Sequence, residues 1–138
     1  MSNNKIAVRY YTKTGNTKKL AEAIAEAVGV KAETVDVPVE QDVDILFLGS
    51  SVYAAGVDAH VKTFINSLDS RIKKVVNFST AAILSSTYSQ VKKLLDEKGV
   101  PLDEREFHCK GSFNIMHKGK PDEQDIKNAR EFAKSILV

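Results

Sequence analysis

The chain has 138 residues, a length that suits one domain over residues 1–138 with a single substantial core and is too short for two. Its 20 basic and 18 acidic residues give a net charge of +2 without a long block of either sign, so the composition does not support nucleic-acid binding. No apolar run approaches the roughly 20 residues of a membrane span, and because the amino terminus leads directly into a predicted strand, we expect no export signal. A lone cysteine, Cys109, excludes an internal disulfide and fits a reducing compartment, so we expect a cytoplasmic protein.

The first predicted elements are a strand, a polar loop and a helix. Residues 6–11 are apolar or aromatic β-formers, and an apolar stripe at helical spacing runs from Leu20 to Val28. Backbone N–H groups at the start of a helix have no intrahelical partner and lie at the positive end of the macrodipole, so the loop between can bind a phosphate without a lysine. A turn that only caps the helix is the alternative. The candidate phosphate-binding residues are Thr12, Lys13, Thr14, Gly15, Asn16 and Thr17.

Strand-like and helix-like runs alternate along the rest of the chain. Strands are predicted over residues 31–37, 43–49, 74–82 and 104–113, and Pro38 makes the first of these an edge strand. Apolar stripes predict helices around residues 61–68, 88–95 and 126–137, the first of them capped by Asp58. Residues 114–120 have no clear assignment.

This alternation predicts an α/β fold with a five-stranded parallel sheet and helices on both faces. The simplest doubly wound arrangement has the strand order 2-1-3-4-5. Ligands of such sheets bind beyond the carboxyl ends of the strands, where neighbouring connections leave toward opposite faces. The loops after the first, third and fourth strands are therefore the candidate binding loops.

The second of these loops, residues 50–58, follows the most hydrophobic strand. Its small residues let a flat ring approach the backbone, and Tyr53 offers an aromatic face, although Tyr53 packing on the domain surface is the alternative. The candidate residues of this loop are Ser51, Val52, Tyr53, Ala54, Ala55 and Gly56.

The pattern Thr-x-Thr-Gly-x-Thr at residues 12–17 resembles the FMN phosphate loop of the flavodoxin family, and the likeness extends along essentially the whole chain. The resemblance implies a flavodoxin-like fold with FMN as cofactor, and a peptide at Gly56 that reorients to accept a hydrogen bond from reduced N5. It also implies that the third loop holds the pyrimidine edge, the ribityl chain or the phosphate. The residues involved would be Ser79, Thr80, Ala81 and Ala82.

The third loop departs from the family pattern. Flavodoxins usually carry an Asp and a stacking Tyr there, and neither is present between Ser79 and Thr87. One face of the flavin would then be more open, which leaves room for a substrate. Residues 49–57 also resemble the flavodoxin-type protoporphyrinogen oxidases and other short flavodoxin-like enzymes.

The sequence leaves two redox functions and one non-redox function as candidates. Carrier flavodoxins are usually strongly acidic, since an anionic rim steers them onto basic partners. The slightly basic charge here favours a small FMN-dependent oxidoreductase acting on a quinone or porphyrinogen-like substrate, or else an electron carrier with a different redox partner protein. The alternative is a module on the same fold that binds a non-flavin phosphate ligand or a protein.

Other reactive side chains are interpreted as structural. Cys109 lies beside Lys110, which could lower a thiol pKa, but one cysteine within a strand is more often a small core residue. His60, His108 and His117 lack the spacing of metal ligands. The ends of the first and third strands lack the acidic cluster of a phosphoryl-accepting response regulator.

Overall fold

A computed structural model describes residues 5–12, 15–53, 56–81, 87–110, 119 and 121–137, with side chains omitted for six of the strand residues. The strands are β1 (Ile6–Tyr10), β2 (Ala32–Thr34), β3 (Ile45–Tyr53), β4 (Gly56–Val57), β5 (Val75–Ala81) and β6 (Leu102–Lys110). The helices are α1 (Asn16–Val28), α2 (Ala59–Asn66), α3 (Tyr88–Lys98) and α4 (Glu123–Ile136).

Five of these strands form a parallel sheet in the order β2-β1-β3-β5-β6. Counted along the chain without the short β4, this is the predicted order 2-1-3-4-5, so the flavodoxin-like fold class is confirmed. β4 pairs antiparallel with the end of β3 and places Tyr53 opposite Gly56. The prediction ended this strand at residue 49, whereas β3 continues through Ser50 and Ser51, because β5 pairs with it there.

The sheet has an apolar layer on each face, as the doubly wound arrangement requires. Phe47 and Phe78 belong to the layer under α1 and α4, where Leu20 and Ile24 are fully buried. Strand side chains alternate between faces, so the even-numbered residues of β3 enter the other layer with α2 and α3. This second layer is formed by Leu46, Leu48, Val61, Ile65, Val91 and Leu95, among others. The alternation decides which polar side chains meet at the carboxyl ends of the strands.

Two helices begin at side-chain caps, and the first of these caps was predicted. Asp58 is the cap of α2, and its carboxylate accepts a hydrogen bond from the backbone N–H of His60 at 2.8 Å. Asp122 and Asp125 form a reciprocal capping box at the start of α4, with both hydrogen bonds at 3.0 Å. None of the helices in the described ranges has the length and apolar character needed to cross a bilayer.

The turn after β2 is fixed by Arg9, a largely buried side chain of β1. Its Nε donates to the carbonyl of Val37 at 2.9 Å and its Nη2 to that of Pro38 at 3.3 Å, while Glu33 lies 3.5 Å away. Burial lowers the pKa of Arg9, an effect that Glu33 partly offsets. β2 was predicted over residues 31–37 and is only three residues long because the chain turns here toward Arg9.

A second charged group lies at the start of β6. The carboxylate of Asp103 is 2.9 Å from Nη2 of Arg105 and 3.0 Å from Nζ of Lys74. The side-chain hydrogen bond from Arg105 is the main cause that holds the pKa of Asp103 well below its usual range, and burial opposes it. Lys74 directly precedes β5, so this group connects the amino ends of two neighbouring strands.

Candidate functional site

The carboxyl ends of the three central strands lie side by side. Tyr10 of β1 pairs with Gly49 of β3, which pairs with Phe78 of β5. The segments that follow these strands therefore leave from one edge of the sheet. This is the edge where the sequence placed the three binding loops.

The first loop enters α1 through a glycine turn. Gly15 has φ of +91°, in the left-handed region that favours glycine, and its N–H donates to Oγ1 of Thr12 at 2.9 Å. A Cβ at Gly15 would meet nothing within 4 Å, so the backbone angle and not the space requires glycine here. The turn leaves the first N–H groups of α1 without intrahelical partners. No acidic residue lies in the first turn of this helix.

Three hydroxyl groups from the three loops meet beneath this turn. We call Thr17, Ser51 and Thr80 the hydroxyl triangle, because Oγ1 of Thr17 lies 2.5 Å from Oγ of Ser51 and 3.0 Å from Oγ1 of Thr80, and the last two lie 3.1 Å apart. Thr17 is fully buried and the other two are nearly so. Oγ1 of Thr17 also lies 3.4 Å from the carbonyl of Ser50. Helix α1, β3 and β5 are thus joined by polar contacts on the α1 face of the sheet.

A second buried polar group lies on the opposite face. Oγ1 of Thr87, the residue before α3, accepts from Oγ of Ser50 at 2.9 Å and from Nδ2 of Asn77 at 3.1 Å. The backbone N–H of Thr87 donates to Oγ of Ser79 at 3.4 Å. All four residues are fully buried. These bonds hold the start of α3 against the end of β5, so they fix the two ends of the third loop.

Because Gly49 has no side chain, the ring of Phe78 and the methyl group of Thr17 can pack against the backbone of β3 there. A Cβ there would collide with the ring of Phe78 and lie 3.0 Å from Cγ2 of Thr17. Neither Gly49 nor Asn77 was predicted as a site residue. A polar residue at a buried strand position is a signal that would have pointed to Asn77, whereas the role of Gly49 depends on a ring that is distant in the sequence.

An aromatic pair flanks the first loop. The rings of Tyr11 and His60 stack with centroids 4.5 Å apart and an angle of 9° between their planes. Nδ1 of His60 lies 2.7 Å from Oδ1 of Asp58. Among the described residues, no group of three or more His, Cys, Asp and Glu side chains is placed to hold a metal ion.

The sequence matches the flavodoxin domain family over residues 7–116. This chain belongs to the flavodoxin family. An uncharacterized protein of Methanocaldococcus jannaschii is 32% identical in an alignment 137 positions long, and the alignment covers 88% of this chain and 90% of the relative.

Solved structures show the same fold at low identity. A flavodoxin from the domain Archaea superimposes with a TM-score of 0.78 at 18% identity over 96% of each chain. Rubredoxin oxygen:oxidoreductase from Desulfovibrio gigas gives a TM-score of 0.75 at 16% identity and is matched over 98% of this chain and 35% of its own.

The described part of this flavodoxin-family chain brings together one residue from each predicted loop, in the hydroxyl triangle. Thr12, Gly15 and Asn16 adjoin it at the start of α1, whereas Ser79 lies on the other face of the sheet and accepts from the N–H of Thr87. Val52, Tyr53 and Gly56 lie in the β3–β4 hairpin, and Ala81 ends β5. The predicted residues Lys13, Thr14, Ala54, Ala55 and Ala82 lie outside the described residues.

The donors at this edge fit the phosphate of FMN. A phosphate needs several N–H or O–H donors and no carboxylate, and the first turn of α1 with Thr12 and the hydroxyl triangle offers that set. Cys109 lies on β6, where it pairs with Thr80 of β5, and it packs against the layer under α1 and α4. The described part of the edge can therefore hold an anion through neutral groups.

Proposed function

We propose that this chain binds FMN at the carboxyl edge of the sheet and works as a redox protein. The observation that carries the proposal is the hydroxyl triangle, in which the three predicted loops meet beneath the glycine turn of α1. FMN supplies one- and two-electron chemistry when bound, and the chain supplies position and electrostatics.

The phosphate end is proposed to use N–H groups of α1 and the hydroxyls of Thr12, Thr14 and Thr17, without a lysine clamp. Oγ1 of Thr17 already has Ser51, Thr80 and the carbonyl of Ser50 as partners, so a phosphate oxygen would replace one of them. A hydroxyl turns about its Cβ–O bond at small cost, so its proton can be redirected toward a phosphate oxygen. The triangle would then both hold the loops and contribute to the anion site.

The flavin ring is proposed to lie against the β3–β4 hairpin and the third loop. β4 pairs antiparallel with the end of β3, with Tyr53 opposite Gly56, and the two residues between them in the sequence are alanines. Small residues here would leave the backbone close to a flat ring, and Tyr53 would contact it. The third loop is proposed to offer the backbone N–H groups of Ala81 and Ala82 to the flavin. Thr87, which is hydrogen-bonded to Asn77 and Ser50, would fix the end of this loop.

The cofactor proposal is tested by the absorbance spectrum of the purified protein and by titration of the flavin-free protein with FMN. A yellow protein, or saturable quenching of FMN fluorescence at a ratio of one to one, is expected. A colourless protein that binds no FMN contradicts the proposal and favours the alternative of a non-flavin ligand. FAD is expected to bind less tightly, because the loop would enclose the phosphate that carries the adenylate.

Within this function we propose a cytoplasmic oxidoreductase for a small quinone or porphyrinogen-like molecule over an acidic electron carrier, because the net charge is +2. Charge steering is screened over about 8 Å at physiological ionic strength. Electron transfer to a basic cytochrome is therefore expected to be slow and nearly independent of salt. Fast transfer that collapses as salt rises would restore the carrier role with a basic redox partner.

A further inference from the structure

A cleft of about 470 Å³ lies between the segment after β2 and helix α2. Val35, Pro38 and Phe64 contribute apolar surface to it, and Asp36, His60 and Thr63 contribute polar groups. Small-molecule sites have this size and this mixture of apolar walls and a few polar groups. None of these residues belongs to the proposed FMN site.

The imidazole of His60 is oriented from two sides. Oδ1 of Asp58 accepts from the backbone N–H of His60 at 2.8 Å and lies 2.7 Å from Nδ1 of its ring. A carboxylate only accepts hydrogen bonds, so Nδ1 carries the proton and Nε2 of the neutral ring has the lone pair. The stack on Tyr11 fixes the plane of the ring.

The other nitrogen of this ring is available to a ligand. The side chain of His60 is 55% exposed, and its Nε2 makes no hydrogen bond to another described residue. His60 therefore presents a hydrogen-bond acceptor of fixed orientation on the wall of the cleft. A ligand that meets it must bring a donor.

We propose that this cleft binds a neutral hydroxyaromatic molecule, whose phenolic O–H donates to Nε2 of His60. Val35, Pro38 and Phe64 favour a flat apolar ring. The carboxylates of Asp36 and Asp58 disfavour an anion, which excludes aromatic carboxylates and phosphates as the preferred class. This site is additional to the FMN site, and its occupation does not require flavin.

Two residues that contact the ring of His60 nevertheless adjoin the proposed FMN site in the sequence. Tyr11, whose ring stacks on that of His60, directly precedes Thr12 of the phosphate loop. Asp58 directly follows β4. The reduced form of a quinone is a hydroxyaromatic molecule. The ligand class therefore matches the substrate class of the proposed oxidoreductase, although the two proposals rest on separate residues.

The probe for the experiment is 2-naphthol, which is neutral at about pH 8 because phenols ionise near pH 10. Nitrogen-15 NMR of the full chain during titration should show saturable shifts of Nε2 of His60 and of the amides of Asp36 and Thr63. The methyl ether of 2-naphthol has the same ring without the donor and should bind about two- to tenfold more weakly, the effect of one neutral hydrogen bond. Binding of 2-naphthoate should be weaker still.

The variant His60→Phe keeps an aromatic ring to stack on Tyr11 and removes the acceptor. It should bind 2-naphthol no better than the ether, with its affinity for the ether unchanged. Lys62→Ala, an exposed change on the same helix outside the cleft, should bind 2-naphthol like the wild type. FMN affinity, measured separately, should be the same in both variants.

Equal affinities of the wild type for 2-naphthol and its ether would overturn the proposal. So would shifts confined to residues outside the cleft, or undiminished binding of 2-naphthol by His60→Phe. A protein that binds 2-naphthol at His60 but no FMN keeps this proposal and contradicts the proposed function. A protein that binds FMN but does not bind 2-naphthol at His60 contradicts only the proposal for the cleft.

Discussion

Removal of one hydroxyl from the triangle should weaken both the fold and FMN binding. Thr17→Val keeps the shape of the buried side chain but deletes the oxygen that lies 2.5 Å from Ser51 and 3.0 Å from Thr80. Ser51 and Thr80 still bond each other at 3.1 Å, so neither hydroxyl is left without a partner. Two net hydrogen bonds at about 0.5–1.5 kcal/mol each give a loss of roughly 1–3 kcal/mol in the free energy of unfolding.

This loss is large enough to measure. For a chain of this size it lowers the melting temperature of the flavin-free protein by about 3–10 °C. FMN affinity should fall by a factor of about ten or more, because a charge-assisted hydrogen bond to phosphate is lost as well. Circular dichroism on heating and fluorescence titration with FMN measure the two quantities.

Thr34→Val is the matched control, since Thr34 is exposed on β2 and the same atoms are exchanged. It should change neither quantity. Ser51→Ala combined with Thr17→Val should cost less than the sum of the single changes, because both remove the same contact. If Thr17→Val behaves like the control in both assays, the triangle neither stabilises the fold nor contributes to the FMN site.

Three further predictions concern the glycines and the charged group at β6. Gly49→Ala should destabilise the protein by about 1–3 kcal/mol in urea unfolding, because its Cβ collides with Phe78, and Phe78→Leu in the same chain should recover part of this loss. If the peptide at Gly56 adopts positive φ, Gly56→Ala should shift the one-electron potentials of bound FMN by tens of millivolts at most, which corresponds to about 1 kcal/mol. Unchanged potentials in a reductive titration would show that Gly56 is not the glycine whose peptide reorients. The pKa of Asp103 is lowered by Arg105, so its carboxylate stabilises the fold above the unfolded pKa of about 3.9, and this stabilisation is lost as pH falls below it. Unfolding of Asp103→Asn should therefore differ most from the wild type near neutral pH and converge with it toward pH 2; a difference independent of pH would refute the charge account.

The sequence predicted the parts of the fold that local patterns encode. Apolar stripes located the four described helices, and Asp58 was found as the cap of α2. The end of β3 was missed, because Ser50 and Ser51 are weak strand formers and pair there only with β5. Likewise β2 is short because of Arg9, a contact across 28 positions that no local pattern contains.

The candidate site shows the same division. Gly15 was predicted from the sequence as part of the polar loop before α1, and it has a positive φ there. Asn77 and Gly49 were missed, since their roles depend on Thr87 and Phe78, which come from other strands or helices. The proposed contacts of Tyr53 and Gly56 with a flavin stay predictions.

The hydroxyl triangle also bears on the order in which the chain folds. Thr17 and Thr80 are 63 positions apart, and Thr17 and Ser51 are 34 apart. Such distant groups meet only after the entropy of closing long loops has been overcome, so we expect the triangle to form after the strands have docked. Contacts absent from the transition state act on the unfolding rate, so Thr17→Val should speed unfolding and leave the refolding rate nearly unchanged. The edge that would bind FMN is then among the last parts of the molecule to assemble and among the first to open.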